Sequence, residues 1–314
     1  MYNPAGRQEQ TVTSANNVQY PVATRPIFRN PGDQDSFGRL GYVVHDFLNG
    51  EELAQLNGLF DRTVRQQRTT YSHFDKLLYY ISIFDQDVEK RKHLNRVVTS
   101  MFREKVARLM LDYKIMLCNF MAKQPGGGEI EVHQDFSFVD EDRYTGLNLW
   151  VPLEDTDVGN GCFYMVPGSP RALPPSHRSA SAPDTLTRYN ETLKRYMTPT
   201  PVKAGTGLLF DHRLFHYSPS NDSSSWRPAV QLVVIPEEAE PVMLRYDKAR
   251  DPDNLQVCRI DEAYLTEENI WQPQRELPVV GSKPYVPLPS EAEIVTRIEA
   301  LRSRLELNEI RRIA

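Results

Sequence analysis

The sequence is poor in cysteine and has no long hydrophobic run. Its 314 residues include three cysteines, Cys118, Cys162 and Cys258, whose spacing fits neither a zinc site nor a disulfide framework. No run approaches the ~20 apolar residues that span a bilayer, and the N-terminus lacks the apolar segment of a secretory signal. We therefore expect a protein of a reducing cytoplasm that has no membrane partner.

Concentrated positive charge is also missing. The chain has 37 Lys and Arg against 42 Asp and Glu, which gives a formal net charge of −5. A nucleic-acid surface normally needs a basic stripe, and the densest basic cluster, residues 90–92, is short enough to be a solvated helix face. We expect a small-molecule substrate and no nucleic-acid partner, in a chain that is a monomer or a homodimer.

The succession of patterns predicts one mainly β domain with flanking helices. With 40% hydrophobic residues, the chain can bury a substantial core. Residues 1–35 are polar and aperiodic, which predicts a flexible arm, and the domain is expected to cover residues 36–289. Asn49 and Glu52 predict a capping box at a helix start, and a second helical run covers residues 89–111. Both helices should cover the outside of the β structure.

Two further segments lie outside the predicted β core. Residues 171–200 form a long polar insertion with several prolines, for which we predict either a lid over the substrate or a mobile loop. Residues 290–314 place Ile294, Ile298 and Leu301 at helical spacing among charges. This spacing predicts a C-terminal helix that packs on the body of its own chain, in preference to a second subunit.

The pattern with the clearest chemistry is the tripeptide HQD at residues 133–135. A His followed two residues later by an acidic residue is expected about once by chance in this composition, and a second copy, HFD, occupies residues 73–75. The second copy precedes apolar residues at roughly helical spacing over 77–84, which predicts a polar residue that flanks a helix. By contrast, residues 133–135 lie between runs of strand formers at 114–122 and 147–151. We therefore predict a metal site at residues 133–135 and not at residues 73–75.

Side chains two residues apart in a strand face the same side, with their Cα atoms roughly 6.5 Å apart. His133 and Asp135 can therefore converge on one metal ion. A His and a carboxylate at this spacing, joined by a remote His, form the facial triad that leaves iron positions open in non-heme Fe(II) oxygenases.

The remote ligand is either His212 or His216, which share strand parity. We favour His216 because Ser218 lies on the same face and Arg227 follows across a turn-like stretch. If a strand over residues 208–217 turns back into the next apolar run as a hairpin, Arg227 returns beside His216. A guanidinium there can grip a carboxylate with two parallel hydrogen bonds.

These residues stand in an order that is typical of a known family. The ordered segments are residues 37–48 (FGRLGYVVHDFL), 133–135 (HQD), 160–169 (NGCFYMVPGS), 216–218 (HYS) and Arg227. Over roughly residues 36–236, they resemble the phytanoyl-CoA dioxygenase-like (PhyH) family of iron- and 2-oxoglutarate-dependent oxygenases. The resemblance implies a double-stranded β-helix (jelly-roll, cupin-like) core. It also implies that His133, Asp135 and His216 hold Fe(II), while Arg227 and Ser218 bind the distal carboxylate of 2-oxoglutarate.

The resemblance implies a reaction as well. Iron, O2 and 2-oxoglutarate would release succinate and carbon dioxide and oxidise an unactivated C–H bond of a second substrate, by default to an alcohol. Related halogenases replace the carboxylate ligand by a small residue, so Asp135 argues against halogenation. We expect the substrate to be a small metabolite, such as an amino acid or a natural-product intermediate in a biosynthetic route.

Other pocket positions follow from strand parity. Asn119 and Lys123 share a face of the strand before the motif and are candidates for the inner carboxylate of 2-oxoglutarate; the alternative is a polar barrel interior or a surface lysine. The candidates for substrate contact are Phe136, Arg143, Tyr144 and Trp150. Aromatic residues at such positions are commonly core.

A second class of function stays open at this level. A jelly-roll protein can bind a metal without oxidation, either as an isomerase or as a ligand-binding relative that has no turnover. The pair Arg227 and Ser218 distinguishes the classes, because an isomerase has no need of an anchor for a keto acid.

Overall fold

A six-stranded antiparallel sheet forms the larger half of the β core. The computed structural model describes residues 25–66, 78–174, 178–179, 181–183, 185–268 and 276–305. The strands of the large sheet are β1 (Tyr42–Asp46), β2 (Tyr79–Ile81), β3 (Tyr113–Lys123), β5 (Leu147–Pro152), β8 (Thr206–Asp211) and β10 (Arg227–Pro236). They lie in the order β1-β8-β5-β10-β3-β2.

A four-stranded sheet faces the large one. Its strands are β4 (Ile130–His133), β6 (Phe163–Met165), β7 (Thr198–Thr200) and β9 (His216–Ser218), in the order β4-β9-β6-β7. Trp150 and Phe210 of the large sheet pack with Phe163 and Met165 of the small one. Two antiparallel sheets with a shared apolar layer form the double-stranded β-helix that the sequence predicts.

Two helices cover the outer face of the large sheet. They are α2 (Gly50–Phe60), which continues as a π-helical turn over Asp61–Arg65, and α3 (Val88–Leu109). Phe60 and Phe102 pack on Val151 and Val230, whose neighbours in each strand point to the opposite face. The predicted capping box at the start of α2 is confirmed: Asn49 Oδ1 accepts from the Glu52 N–H at 2.9 Å, and the Glu52 carboxylate accepts from the Asn49 N–H at 3.0 Å.

The remaining elements surround this core. A third sheet contains β11 (Val242–Tyr246), β12 (Asn254–Arg259) and β13 (Val279–Pro284), and the other helices are α1 (Pro31–Leu40), α4 (Asn190–Lys194), α5 (Glu262–Glu267) and α6 (Glu291–Arg302). Short 3₁₀ turns occupy Ser82–Phe84, Ser169–Arg171 and Leu186–Tyr189. In the described part of the chain, no helix is both long and apolar enough to cross a membrane.

The described residues begin before residue 36, where the sequence places the end of a flexible arm. Helix α1 starts at Pro31, and the Asn30 side chain accepts from the Gly32 N–H at 2.7 Å. Ile27 and Phe28 are buried in the helix-covered core. An N-cap followed by a proline is a helix start signal, but two apolar residues are too few to show a period. Residues 1–24 lie outside the described residues.

A helix is expected over residues 77–84, and its described part contains a strand, Tyr79–Ile81, followed by a 3₁₀ turn, Ser82–Phe84. Strand β2 pairs with β3 at the sheet edge, with Ile81 opposite Met121. The two tyrosines and the isoleucine of β2 are strand formers, and a short strand plus a turn reproduces an apolar spacing that is close to helical. The second motif copy, residues 73–75, lies outside the described residues.

The single strand expected over residues 208–217 is divided between the two sheets. Strand β8 ends at Asp211, whose carboxylate accepts from the backbone N–H of Arg213 at 2.8 Å and from its guanidinium, and β9 starts at His216. Strand β10 pairs with β3 and β5, not with β9. The expected hairpin is therefore wrong, and Arg227 reaches the interior from the opposite sheet.

Residues 171–200 carry secondary structure where they are described. They include the short helix α4 and strand β7, in which Thr200 lies opposite Phe163. After β13, α6 begins in a capping box formed by Ser290 and Glu293 and buries Ile294 and Ile298 against the small sheet's outer core.

Candidate metal centre

Strands β4 and β9 bring two histidines side by side. They are antiparallel neighbours, with His133 directly opposite His216, and Asp135 lies two residues beyond the end of β4. One ligand atom from each of the three side chains lies within 4.8 Å of the other two. The Asp135 carboxylate is 3.7 Å from His133 Nε2 and 3.8 Å from His216 Nε2. The three side chains therefore form a compact set of potential metal donors.

The hydrogen bonds of the two imidazoles fix which nitrogen faces the carboxylate. His133 Nδ1 lies 2.8 Å from the Glu131 carbonyl oxygen, and His216 Nδ1 lies 2.9 Å from that of Leu214. A carbonyl oxygen can only accept, so each Nδ1 carries the proton. The lone pair of each Nε2 therefore points into the site, as metal ligation requires.

The charges of the site also suit a divalent cation. Burial, together with the neighbouring His133, lowers the pKa of His216 to about 4, so this imidazole is neutral at pH 7. Burial alone would raise the pKa of Asp135, but His216, His133 and the hydrogen bond from Asn148 lower it below its usual value. A carboxylate together with two imidazoles is a donor set that fits Fe(II).

Hydrogen bonds hold the segment that carries Asp135. Its backbone N–H donates to the His212 carbonyl at 2.9 Å, and Asn148 Nδ2 donates to its carboxylate at 2.6 Å. The Gln134 side chain donates to the Arg213 carbonyl at 2.6 Å, which gives the middle residue of the motif a positioning contact. The turn between β8 and β9 thus holds the motif through the backbone carbonyls of His212 and Arg213.

His212 is the alternative remote histidine, and it does not join the three donors. It lies in the turn between β8 and β9, where its ring packs edge-on against Phe138. Its side chain is buried, and neither ring nitrogen has a hydrogen-bond partner among the described residues. The division of the predicted strand explains this position, because β8 ends before His212.

A cavity of about 550 Å³ extends from the three donors between the two sheets. At one end, Arg227 is 2% exposed, its guanidinium lies 5.2 Å from the centre of the Trp150 ring, and its Nε has no hydrogen-bond partner among the described residues. Asn119 also lines the cavity. Its Oδ1 is buried and likewise has no hydrogen-bond partner among the described residues. Buried polar groups of this kind need a ligand or water to satisfy them.

Ser218 and Lys123 lie beside Arg227 but are engaged with backbone. The Ser218 hydroxyl donates to the Gly161 carbonyl at 2.7 Å, and Lys123 Nζ donates to the carbonyls of Ser218, at 2.8 Å, and of Pro219. Burial lowers the pKa of Lys123 to about 6. Lys123 is therefore neither a surface lysine nor a cavity residue, and the prediction that it reaches the inner carboxylate of a keto acid is wrong.

Known proteins are similar to this chain in sequence and in fold. The family model for phytanoyl-CoA dioxygenase (PhyH) matches residues 38–229. The chain belongs to the phytanoyl-CoA dioxygenase family. This PhyH-family chain is therefore an iron- and 2-oxoglutarate-dependent dioxygenase, with Fe(II) and 2-oxoglutarate as its cofactor and co-substrate.

Individual relatives are distant from this PhyH-family chain. It is 26% identical to a phytanoyl-CoA dioxygenase of Arabidopsis thaliana over 256 residues, which are 65% of the chain and 88% of that relative. It is 31% identical to phytanoyl-CoA dioxygenase domain-containing protein 1 of Danio rerio over 125 residues, but this match spans 36% of the chain and 42% of the relative. Among solved structures, the non-heme α-ketoglutarate-dependent carbocyclase SnoK from nogalamycin biosynthesis is 18% identical, with a TM-score of 0.51 over 68% of this chain and 86% of SnoK. This likeness supports the jelly-roll fold.

The four predicted substrate positions in this PhyH-family chain have different fates. Phe136 lines the cavity, and Trp150 lines it beneath the Arg227 guanidinium. Arg143 is exposed and lies over the Tyr144 ring at 5.0 Å, and neither residue is part of the cavity lining. The chain between Asp135 and these residues makes a turn, which is closed by the Tyr144 N–H donating to the Asp140 carbonyl. Contact of Arg143 and Tyr144 with the substrate stays a prediction.

Gln231, Tyr79 and Arg178 are polar cavity residues that the sequence prediction missed. Gln231 is opposite Asn119 across β10 and β3, on the same face as Arg227, so the parity of β10 would have found it. Tyr79 comes from the edge strand that the sequence indicates as helix, and Arg178 comes from the insertion. No local pattern marks either of these two residues, because tertiary packing alone brings them to the cavity.

Proposed function

We propose that the chain oxidises an unactivated C–H bond of a small metabolite, by default to an alcohol, and that His133, Asp135 and His216 are its iron ligands. The observation that carries the proposal is the convergence of two Nε2 lone pairs and one carboxylate across the β4–β9 pair. Bound Fe(II) supplies the activation of O2 that is coupled to the conversion of 2-oxoglutarate into succinate and carbon dioxide. The chain's own residues orient both substrates beside it.

We propose that Arg227 binds the distal carboxylate of 2-oxoglutarate. Its guanidinium is buried and has no acidic partner among the described residues, and such a charge requires an anion when the site is filled. The Ser218 hydroxyl would turn from the Gly161 carbonyl to donate to the same carboxylate. Asn119, whose Oδ1 is unsatisfied, is the candidate residue for the inner end of the keto acid.

The second substrate is proposed to be a natural-product intermediate in preference to a free amino acid. The cavity has the volume of a site for a drug-sized ligand, and most of its lining is apolar. The apolar lining residues come from six parts of the chain and include Ile83, Leu117, Met121, Phe138, Leu173, Leu186, Val233 and Val286. A free amino acid would leave much of this apolar surface uncovered.

The alternative function, metal binding without oxidation, has less support. An isomerase has no need of the buried guanidinium of Arg227, which lines the same cavity as the three donors. We also propose a reducing, cytoplasmic environment for the protein, because Cys118, Cys162 and Cys258 are all unpaired and buried.

The test is anaerobic addition of Fe(II) and 2-oxoglutarate to the metal-free protein. We expect the weak visible charge-transfer band of a chelated keto acid, and succinate after air is admitted. Asp135→Ala should lose both signals, because it removes one of three ligands, whereas Asp155→Ala, which removes an exposed partner of Lys203, should keep them. A folded protein that gives neither band nor succinate contradicts the proposal.

A further inference from the structure

Arg178 connects the insertion to the segment that carries Asp135. The insertion, residues 171–200, contributes Leu173, Ser179 and Leu186, among others, to one wall of the cavity. Arg178 lies in this wall, and its side chain is largely buried. Its contacts therefore bear on both the wall and the metal centre.

The guanidinium of Arg178 uses three donors at once. Two of them grip the Glu141 carboxylate, with Nη1 to Oε2 at 2.9 Å and Nη2 to Oε1 at 2.5 Å. The third donor, Nε, reaches the backbone carbonyl of Asp135 at 2.5 Å. Glu141 is 3% exposed and Arg178 holds its pKa well below the usual range despite burial, so the ion pair persists at neutral pH.

The backbone of Arg178 also contacts this segment. Its N–H donates to Ser137 Oγ at 2.9 Å, and its carbonyl accepts from the Ser137 N–H at 3.2 Å. These contacts matter because β4 ends at His133, so no strand ladder holds Asp135. The direction of the Asp135 carboxylate depends instead on the His212 carbonyl, the Asn148 amide and Arg178.

We propose that Arg178 is a positioning residue that couples the cavity wall formed by the insertion to the direction of the Asp135 carboxylate. The inference rests on the proposed role of Asp135 as an iron ligand. Ion pairing with Glu141 holds the guanidinium in place, and the Nε bond passes that position to the Asp135 carbonyl. A displacement of the wall therefore moves the metal-binding carboxylate.

The test separates stability from metal geometry. Co(II) serves as the probe, because its visible spectrum reports both affinity and coordination geometry, and unfolding midpoints are measured on the same samples. The variants are Arg178→Ala, Arg178→Lys and the double variant Arg178→Ala with Glu141→Ala. Arg195→Lys is the matched control, because Arg195 is an exposed arginine of the same insertion.

Arg178→Ala leaves the buried Glu141 carboxylate unpaired, so its unfolding midpoint should fall. The double variant removes both charges and should recover most of that loss. Co(II) affinity should nevertheless stay about 10- to 100-fold below wild type in both variants, with an altered spectrum, because the contact to the Asp135 carbonyl is absent. Arg178→Lys keeps a charge for Glu141 but cannot supply all three donors, and it should also weaken Co(II) binding.

An unchanged Co(II) affinity in the double variant would overturn the inference, because Arg178 would then act only through the ion pair. The inference would also be overturned if the double variant recovered its Co(II) affinity together with its unfolding midpoint. Failure of the proposed function looks different: wild type itself would show neither Co(II) binding at this site nor the keto-acid band.

Discussion

At the scale of single residues, hydrogen bonds to backbone carbonyls prepare the metal centre. The Nδ1 protons of His133 and His216 are both held by carbonyls of their own strand segments, so the ligand nitrogens face inward before any metal binds. The side-chain amide of Asn148, in β5, donates to the Asp135 carboxylate. The site is thus preorganised by local backbone contacts of the two histidines and by one side chain from a distant strand.

Arg227 provides the residue-scale prediction. Arg227→Lys keeps a positive charge but loses the planar pair of donors, so the KM for 2-oxoglutarate should rise at least about tenfold, since one hydrogen bond to a charged group contributes roughly 1.5–3 kcal/mol. Arg227→Ala should abolish the keto-acid band at ordinary co-substrate concentrations. Titrating 2-oxoglutarate under anaerobic conditions measures both effects. An unchanged band in Arg227→Ala would place the anchor elsewhere.

At the scale of elements, the pairing of β4 with β9 is what assembles the site. The two strands are short, and the register that sets His133 opposite His216 includes an irregularity between Ile130 and His133. The longer strands of the large sheet, backed by α2 and α3, give the rigid surface on which the cavity is built. Stability and ligand geometry therefore reside in different elements.

This separation can be tested at Phe102 of α3, which is 0% exposed and packs between the helix and the large sheet. Phe102→Ala should lower the free energy of unfolding by about 3–5 kcal/mol, because it leaves a cavity in the core. Activity per folded molecule should stay close to wild type. Arg103→Ala, one residue along on the exposed face, should change stability by less than about 0.5 kcal/mol. Denaturant unfolding and succinate assays on the same samples measure both quantities. A loss of activity in Phe102→Ala under conditions where the protein is still folded would contradict the prediction.

At the scale of the whole molecule, the two sheets and the insertion enclose one cavity. The two histidine donors come from β4 and β9 of the small sheet and Asp135 from the segment after β4, whereas Arg227 and Asn119 come from the large sheet. The insertion and the segment after β13 form the remaining walls. The site exists only when all of these parts pack together. We therefore expect the loss of a buried ion pair at the site to lower the free energy of unfolding of the whole molecule.

Glu141 gives a prediction for pH. Burial alone would raise its pKa, but Arg178 outweighs burial and lowers it to about 2, below the ordinary value of 4.5. A lowered carboxyl pKa stabilises the folded state above pH 4.5, by about 3 kcal/mol here, and the contribution is lost as pH falls from 4.5 toward 2. Glu141→Gln should thus be less stable than wild type at pH 7, and the difference should narrow below pH 4.5.

Denaturant unfolding at pH 7, 5 and 3.5 checks this expectation. Glu104→Gln is the control, because Glu104 forms an exposed pair with Arg108 that contributes at most about 1 kcal/mol. A difference between wild type and Glu141→Gln that stays constant from pH 7 to 3.5 would contradict the assignment of a low pKa to Glu141.

Local patterns were sufficient for features that depend on neighbours in the chain. The capping box of Asn49 and Glu52 needs only a spacing of three residues, and the strands around residues 133–135 can be predicted from their amino-acid composition. The choice of His216 over His212 came from residues nearby in sequence, although the hairpin invoked for it is absent. The wrong expectation, a single strand over residues 208–217 that turns back as a hairpin, concerns where the chain changes direction.

The sequence by itself determined the mainly β composition, the flanking helices, the family and the identity of the three converging donors, because each is encoded in periodicity or in a short ordered motif. Only the tertiary structure decided that His133-Gln134-Asp135 is braced by the turn after β8, that Arg227 arrives from the opposite sheet, and that Arg178 reaches the Asp135 carbonyl. The reason is physical. These contacts join residues far apart in the chain, and their geometry is set by the packing of the two sheets rather than by the propensities of any one segment.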